Sequence, residues 1–294
     1  MRKIILLFCF ILLVGCSAKV GENETIDFDD PLDIEEKYSF GHGVVDYQFE
    51  KWNFSGQPLT FDYEIKNIED EIEFGLVFLV DGLPQTYEVD GETTTMFKTH
   101  LKTGEETTIS ISMTPKVHTT LNETNLNAYI VVNPSTEIED IKKYKMNHSI
   151  GSTPTIRLIL EEHQHNTDFG INKIGTDFEP ISEEVLEKFR EIDATMLSEN
   201  AYIEADDDIL FVNSMTNFSL NAYGKVGQYR LLTVEDNVIT DASEIEIKEE
   251  TYTKISLNLE LDDVTNLYFL LVPLDVQDVH GYLMMSQSNR WIVE

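Results

Sequence analysis

The fold is decided by the alternating stretch Leu59-Thr60-Phe61-Asp62-Tyr63-Glu64-Ile65. Apolar and aromatic side chains occupy every second position, and polar or acidic side chains lie between them. Because successive side chains of a β-strand point to opposite faces, this alternation predicts a strand with one face in a core and the other in solvent. Further short runs of apolar residues follow on its C-terminal side.

Four further runs have the short length that is typical of strands. They are Phe74–Val80, which ends at Asp81-Gly82; Thr107–Met113; Leu126–Val132, which ends at Asn133-Pro134; and Thr155–Leu160. Turn-forming residues separate them, and none has a helical period. Five or more short strands in this order predict an all-β fold of antiparallel β-sandwiches rather than a βαβ fold.

The second half of the chain repeats features of the first half in the same order. Asn127-Ala128-Tyr129 is matched by Asn266-Leu267-Tyr268, and each is followed after four residues by a proline. Three more matches pair Phe61-Asp62-Tyr63 with Phe218-Ser219-Leu220, Ile109–Met113 with Ile255–Leu259, and Thr155–Ile159 with Asn289–Val293. We therefore expect a duplicated domain, with two β-sandwich modules.

Two modules of roughly 95 to 120 residues, each with about seven short strands, resemble immunoglobulin-like or fibronectin type III sandwiches. The resemblance rests on strand number and module size. The cysteine and tryptophan pattern of antibody domains is missing, and a fold resemblance transfers no function. The resemblance implies an architecture alone.

A helical pattern lies between the two predicted modules, at Ser182–Leu197. Its apolar residues recur at spacings of three and four and would lie on one helix face: Val185, Phe189, Ile192 and Met196. The first residue of the segment is a suitable N-cap, and the two glutamates after it interact favourably with the helix dipole. We expect an amphipathic connector helix that packs on a module flank or at the joint between modules, with partner docking as the alternative.

The chain begins with basic residues, Arg2 and Lys3, and an unbroken apolar run, Ile4–Val14. A helix of this length reaches about 16 Å, roughly half of a ~30 Å hydrocarbon core, so it is too short to span a bilayer. A basic start before a short apolar run is typical of an export signal. The sequence therefore predicts a cleaved signal peptide at residues 1–15.

The end of this run, Leu13-Val14-Gly15-Cys16, resembles the lipobox of bacterial lipoproteins. The resemblance implies a thioether-linked diacylglycerol on Cys16, with acyl chains such as palmitate, and a mature chain that begins there. Two acyl chains supply a stable membrane anchor where one chain does not. Residues 16–43 are then predicted to be an acidic, extended tether.

Acidic residues dominate the composition: 54 Asp and Glu oppose 21 Lys and Arg, for a formal net charge of -33. Phosphates and anionic headgroups repel such a surface, so we expect no nucleic-acid partner and membrane contact through the lipid anchor only. The two cysteines, Cys9 and Cys16, belong to the signal region. The mature chain therefore has no pair of cysteines for an internal disulfide.

The sequence contains no Gly-x-Ser-x-Gly elbow, no His-Glu-x-x-His motif and no glycine-rich phosphate loop. The best candidate for chemistry is a metal site of Glu161, His163 and His165. Alternate residues of an extended chain point to one side, and carboxylate and imidazole groups bind Zn²⁺. A solvated loop at the module boundary is the alternative interpretation of these residues.

Two acidic clusters, Asp206–Asp208 and Asp262–Asp263, are interpreted as loop charges, with Ca²⁺ binding as the alternative. Trp52 and Trp291 are expected to pack in or beside the cores, and would suit sugar stacking if exposed. Neither the acidic clusters nor the two tryptophans predict an enzyme on their own.

The predicted organisation is a signal peptide (1–15), a lipidated acidic tether (16–43), a first β-sandwich module (44–162), a linker with an amphipathic helix (163–200) and a second module (201–294). We expect a non-enzymatic binding, adhesion or scaffold protein on the extracytoplasmic face of the cell membrane. Its partner would be another envelope protein or a glycan, and its cofactor none beyond the diacylglycerol on Cys16. The alternative is a metal-dependent or carbohydrate-active envelope enzyme or accessory protein.

Overall fold

The computed structural model describes residues 39–46, 51–118, 121–135, 153–154, 156–161, 170–174, 176–192, 196–205, 211–212, 215–261, 264, 266–274, 282–283, 285–288 and 291–293. All of them belong to one compact unit, Glu35–Glu294. The predicted signal peptide and Cys16 lie outside the described residues. Across these ranges, no helix is long and apolar enough to cross a membrane.

The first half of the described chain consists of strands. They are β1 (Phe40–Val44), β2 (Trp52–Phe54), β3 (Leu59–Asn67), β4 (Ile72–Val80), β5 (Leu83–Pro84), β6 (Tyr87–Val89), β7 (Glu92–Thr94), β8 (Phe97–Leu101), β9 (Glu106–Met113), β10 (Glu123–Val132), β11 (Thr153–Pro154) and β12 (Ile156–Leu160). They form an outer sheet, β1-β3-β9-β6-β7, and an inner sheet, β2-β12-β10-β4-β5, in which β8 also pairs with β4. We call these the outer and inner N sheets.

The second half adds two helices and twelve strands. They are β13 (Ile171–Lys173), β14 (Thr176–Pro180), α1 (Glu183–Ile192), α2 (Met196–Glu199), β15 (Ala201–Ala205), β16 (Phe211–Val212), β17 (Met215–Gly224), β18 (Gly227–Glu235), β19 (Val238–Ile247), β20 (Thr251–Glu260), β21 (Asn266–Pro273), β22 (Tyr282–Leu283), β23 (Ser286–Gln287) and β24 (Trp291–Val293). The inner C sheet is β13-β19-β18-β21-β24-β16, with β23 on β21, and the outer C sheet is β14-β20-β17-β15. Strands β11 and β22 form a separate two-stranded pair.

The predicted all-β class is confirmed: the described chain is mostly strands in several sheets, with few helices, and resembles immunoglobulin-like sandwiches. Strand β3 has the predicted alternation, because Tyr63 and Ile65 are buried while Thr60 and Asp62 are exposed. Most described pairs are antiparallel. The pairs β2 with β12, β13 with β19 and β16 with β24 are parallel.

Strand β4 explains why Phe74–Val80 has no alternation. Its even-numbered side chains, such as Phe78, enter the core between the two N sheets, while Val77 and Leu79 enter a third core on the other side. A strand buried on both faces has no polar side to show in its sequence. The continuous apolar run is therefore the signature of an inner sheet.

The two halves share one order of strand pairing. Strands β1, β3 and β9 of the outer N sheet correspond to β15, β17 and β20 of the outer C sheet. Strands β2, β12, β10 and β4 of the inner N sheet correspond to β16, β24, β21 and β18. Registers agree for two of the matches, since Tyr63 lies opposite Ile109 and Leu220 lies opposite Ile255. The match of Thr155–Ile159 with Asn289–Val293 is wrong in register, because it pairs the buried Trp291 with Arg157, which lies between the buried Ile156 and Leu158. Each matched segment of the sequence repeat thus falls on an equivalent strand.

Some strands lie inside segments that the sequence assigned to connections. Strand β1 begins at Phe40 and pairs with β3, so residues 40–43 of the predicted tether lie in the outer N sheet. Strands β13 and β14, in the predicted linker, pair with β19 and β20 of the C sheets. These strands are short or polar, and their pattern is weak without the partner strand.

Helix α1 begins as predicted. The hydroxyl oxygen of Ser182 accepts a hydrogen bond from the Val185 amide at 3.4 Å, as an N-cap does. The predicted apolar face is wrong at Ile192, which is 74% exposed. Leu186 is buried instead, in a cluster with Ile181 and Tyr223 on the flank of the outer C sheet. The buried stripe is rotated because strand β17 supplies the opposing surface.

This difference predicts two unequal effects on stability. Leu186→Ala should lower the free energy of unfolding by about 2 to 3 kcal/mol, because it leaves a cavity beneath α1. Ile192→Ala should change it by less than about 0.5 kcal/mol, because that side chain faces water. Urea unfolding of both variants measures the difference. Equal losses would contradict the assigned helix face.

Candidate functional site

A buried apolar layer joins the inner N sheet to the inner C sheet. We call it the junction core. Its buried members from the first half are Val77, Leu79, Leu83, Tyr129 and Val131, and those from the second half are Leu232, Val234, Ala242, Tyr268, Leu270 and Val272. Each inner sheet therefore contributes to two cores, and the four sheets stack as one block.

The matched tyrosines of the sequence repeat meet at the centre of this layer. The hydroxyl of Tyr129 donates to the hydroxyl of Tyr268 at 3.0 Å, and both side chains are buried. Tyr268 in turn donates to Asn237 at 3.3 Å. Equivalent residues of the two halves therefore contact each other at the centre of the junction core.

Turns from each half extend over the other half. Asn237, in the turn between β18 and β19, donates to the backbone carbonyl of Pro134 at 3.0 Å. On the opposite side, the turn Asp81-Gly82 between β4 and β5 packs on Arg230 and Leu274. Residue 82 has a φ of +67°, and a Cβ there would lie 2.8 Å from the Cβ of Arg230. Glycine is therefore required both by the turn and by the close approach.

Arg230 is the charged centre of this contact and is 1% exposed. Its guanidinium donates to the Glu244 carboxylate at 2.8 Å and to the backbone carbonyl of Asp81 at 3.3 Å, and lies 3.8 Å from the Asp81 carboxylate. Burial raises the pKa of the Asp81 carboxyl, and the positive charge of Arg230 opposes that rise. The junction therefore contains a buried ion pair across the two halves.

A cleft of about 410 Å³ opens at one edge of the junction core. Its floor contains the buried side chains of Val77, Leu83 and Tyr129, with Met96 beside them. Val238, on its border, is 59% exposed. The volume and the apolar floor are those of small-molecule sites, which are frequent where two domains meet.

Two lysines border the cleft, Lys98 and Lys116. The Lys98 ammonium donates to the hydroxyl of Ser135 at 3.0 Å, and that hydroxyl donates to Glu73. Within the described ranges, neither ammonium has a carboxylate at ion-pairing distance. Asp236, the acidic residue of the lining, accepts hydrogen bonds from the backbone and side chain of Asn266. The cleft is thus locally cationic in a strongly acidic chain.

The residues predicted from sequence to bind metal are only partly described. Glu161 is exposed after β12, and its amide donates to the Phe54 carbonyl at 3.0 Å. His163 and His165 lie outside the described residues, as do Asp206–Asp208 and Asp262–Asp263. In the described part of the chain, no three His, Cys, Asp or Glu side chains group as metal ligands do. The Glu161, His163 and His165 site stays a prediction.

The two tryptophans pack against hydrophobic cores, as expected. Trp291 is 1% exposed and contacts the rings of Phe218 and Phe269 edge-on. Trp52 is half-buried at the edge of the N core, with its ring centroid 5.2 Å from that of Phe61. Trp291 is therefore not a platform for a sugar ring.

The junction itself is absent from the sequence predictions, although two signals for it exist. One is the repeated Tyr129 and Tyr268, which were matched as equivalent positions but not as contact partners. The other is the loss of alternation in β4, β10, β18 and β21, which requires a second buried face. Lys98 and Lys116 carry no such signal, because exposed lysines occur throughout a sequence.

Comparison with known proteins identifies no family. No protein-family model matches the sequence, and no curated protein sequence matches it. The periplasmic chaperone SfaE is similar in structure, with 9% identity over 87% of this chain and 100% of that chain, at a TM-score of 0.24.

Two other solved structures have similar values. The Salmonella enterica SafA pilin in complex with the SafB chaperone gives 11% identity over 86% of this chain and 97% of that chain, at a TM-score of 0.27. The fibronectin(III)-like modules of Clostridium thermocellum CbhA give 8% identity over 86% of this chain and 94% of that chain, at 0.22. Values this low transfer no function to this chain.

Proposed function

We propose that this protein is a lipid-anchored, extracytoplasmic binding or scaffold protein without enzymatic activity. Two immunoglobulin-like modules, residues 44–162 and 201–294, would act as one rigid body at the end of the acidic tether 16–43. The linker 163–200 would pack on the second module through α1. The binding face would be the junction between the modules.

The buried junction core carries this proposal. A linker alone would leave the modules free to rotate, whereas a shared apolar layer with a buried ion pair fixes their relative position. A fixed joint keeps the adjoining cleft in one shape, which lowers the entropic cost of binding. The geometry therefore favours binding at the junction over a chain of independent spacers.

The proposed anchor rests on the lipobox resemblance and on charge. A body with a net charge of -33 is repelled by an anionic leaflet, so the acyl chains on Cys16 would be its only membrane contact. The tether, which carries like charges, would hold the body away from the surface. The extracytoplasmic location follows from the proposed signal peptide.

Cys16→Ala should abolish lipidation and release the protein from the membrane while the body stays folded. Metabolic labelling with radioactive palmitate and membrane fractionation measure the two effects. Cys9→Ala is the matched control, because that cysteine lies within the apolar run and should leave labelling unchanged. A Cys16→Ala protein that still carries label and pellets with membranes would contradict the proposed anchor.

Binding at the junction can be tested in cells with a photoreactive amino acid at Val238. A covalent adduct is expected there, because the side chain borders the cleft and is accessible. Position 192 is the matched control, since it is 74% exposed on α1 and belongs neither to the junction core nor to the cleft lining. No adduct at 238, or equal adducts at both positions, would contradict junction binding.

A further inference from the structure

The cleft at the junction combines apolar lining residues with two lysines. At about 410 Å³ it accommodates a small molecule. A protein partner would bury roughly 800 Å² on each side over a broad surface, whereas this volume is in the range of small-molecule sites. The occupant is therefore small.

The floor of the cleft selects for an apolar chain. The side chains of Val77, Leu83 and Tyr129 line the cleft and are at most 5% exposed. Met96 adds a flexible thioether, which can adapt to irregular ligands. Met96 can lie flat on the sheet because residue 75 is glycine, where a Cβ would approach its sulfur to 2.9 Å. The matching ligand surface is hydrocarbon.

The border of the cleft selects for negative charge. Of the described lysines, Lys66, Lys188, Lys248 and Lys254 each pair with a glutamate. In the same ranges Lys98 and Lys116, like Lys51 and Lys102, have no carboxylate at that distance, and of these four lysines only Lys98 and Lys116 line the cleft. Both ammonium groups border the same cleft, and Lys98, which donates one hydrogen bond to Ser135, has further donors for an anion.

We propose that the cleft binds a single-chain amphiphile with an anionic head group, its hydrocarbon chain on the floor of Val77, Leu83 and Met96 and its head between Lys98 and Lys116. This inference rests on the proposed function as a binding protein and names the ligand class of the junction site. The head group is a carboxylate, as in a fatty acid, or a phosphate monoester.

Photoaffinity labelling of the whole chain tests the inference. The probe is dodecanoic acid with a diazirine at the chain end, and labelled peptides are mapped by mass spectrometry. Label is expected on peptides that contain Met96 or Val238, with competition by dodecanoate and dodecyl phosphate. The stronger competitor identifies the head group. Dodecyltrimethylammonium, with the same chain and the opposite charge, should not compete.

Lys98→Gln/Lys116→Gln should reduce labelling at the cleft about tenfold, since two charge-assisted contacts are lost. The double variant should fold normally because both side chains are exposed. Lys51→Gln/Lys102→Gln is the matched control, with the same change in net charge on exposed lysines outside the cleft. Its labelling should equal that of the wild type.

Three outcomes would overturn the inference: no label at the cleft, labelling that is indifferent to Lys98 and Lys116, or competition by dodecyltrimethylammonium as strong as by dodecanoate. The proposed function as a lipid-anchored binding protein is tested by different experiments from the ligand class. If Cys16 is lipidated and Val238 forms an adduct in cells while the cleft takes no label, the ligand class is wrong and the binding protein stands.

Discussion

Arg230→Leu is expected to lower the free energy of unfolding by about 3 to 5 kcal/mol, the largest effect of any single substitution considered for this protein. The side chain is 1% exposed, and Asp81, which faces it from the other half, is 8% exposed. Removing the guanidinium leaves the Asp81 carboxylate buried without its ion-pair partner. Urea unfolding followed by circular dichroism measures the loss.

Two further variants separate the buried charge from other effects. Asp81→Asn/Arg230→Leu should recover at least about 1 kcal/mol of the loss, because residue 81 is then neutral and the remaining carboxylate, Glu244, is 38% exposed and reaches solvent. Asparagine suits residue 81, whose φ of 55° lies in the left-handed region. Arg190→Leu is the matched control and should leave stability unchanged, since its pairs with Glu183 and Glu250 are exposed. Equal losses for Arg230→Leu and Arg190→Leu would contradict the ion pair's role.

Acidification is expected to weaken the outer N sheet through His42 on β1. Its Nδ1 and the Tyr63 hydroxyl are hydrogen-bonded at 2.6 Å, while Nε2 is buried without a hydrogen-bond partner in the described structure. The residue as a whole is only half-buried, so the penalty concerns this one nitrogen. Burial lowers the pKa of the His42 imidazole from 6.5 to about 4.

The sign follows from proton uptake. Between pH 6.5 and 4 the unfolded chain binds a proton at His42 and the folded chain does not, so stability falls as the pH falls through this window. From pH 7 to 4.5 the loss assigned to His42 is about 2 kcal/mol. His42→Gln should remove that component, because its amide can still bond to Tyr63 but does not titrate.

The measurement compares wild type and His42→Gln by urea unfolding at both pH values. The comparison is needed because carboxylates also titrate in this range, and their protonation relieves repulsion in both proteins alike. A difference of about 2 kcal/mol between the two pH responses is expected. Identical responses would show that the imidazole takes up its proton without cost in the folded state.

The sequence predicts the strands well where one face is buried, because alternation in Leu59–Ile65 is a local property. It also predicts the runs of the inner sheets, although not the reason for their continuous apolar character. That reason is tertiary: β4 and β10 contact a second sheet from the other half of the chain. Local pattern alone does not specify which distant surface covers an apolar face.

Errors and omissions have the same origin. The helical spacing placed Ile192 on the packed face, yet the position of Tyr223 on β17 selects Leu186. Strand β1 was assigned to the tether; Gly41 and Gly43 interrupt its pattern, and it is recognisable as a strand only beside β3. The cleft depends on where two turns and two lysines meet across the junction. The spacing of residues within one segment does not predict which residues of distant segments come together there.

The central claim is that the junction core makes the two halves one rigid unit. The chain has one tryptophan in each half, so Trp291→Phe leaves Trp52 to report on the first half and Trp52→Phe leaves Trp291 to report on the second. In each variant, urea unfolding by tryptophan fluorescence should coincide with unfolding of the whole chain by circular dichroism, as for one cooperative unit. Fluorescence transitions that separate from the circular dichroism transition, with each half unfolding at its own urea concentration, would contradict the claim.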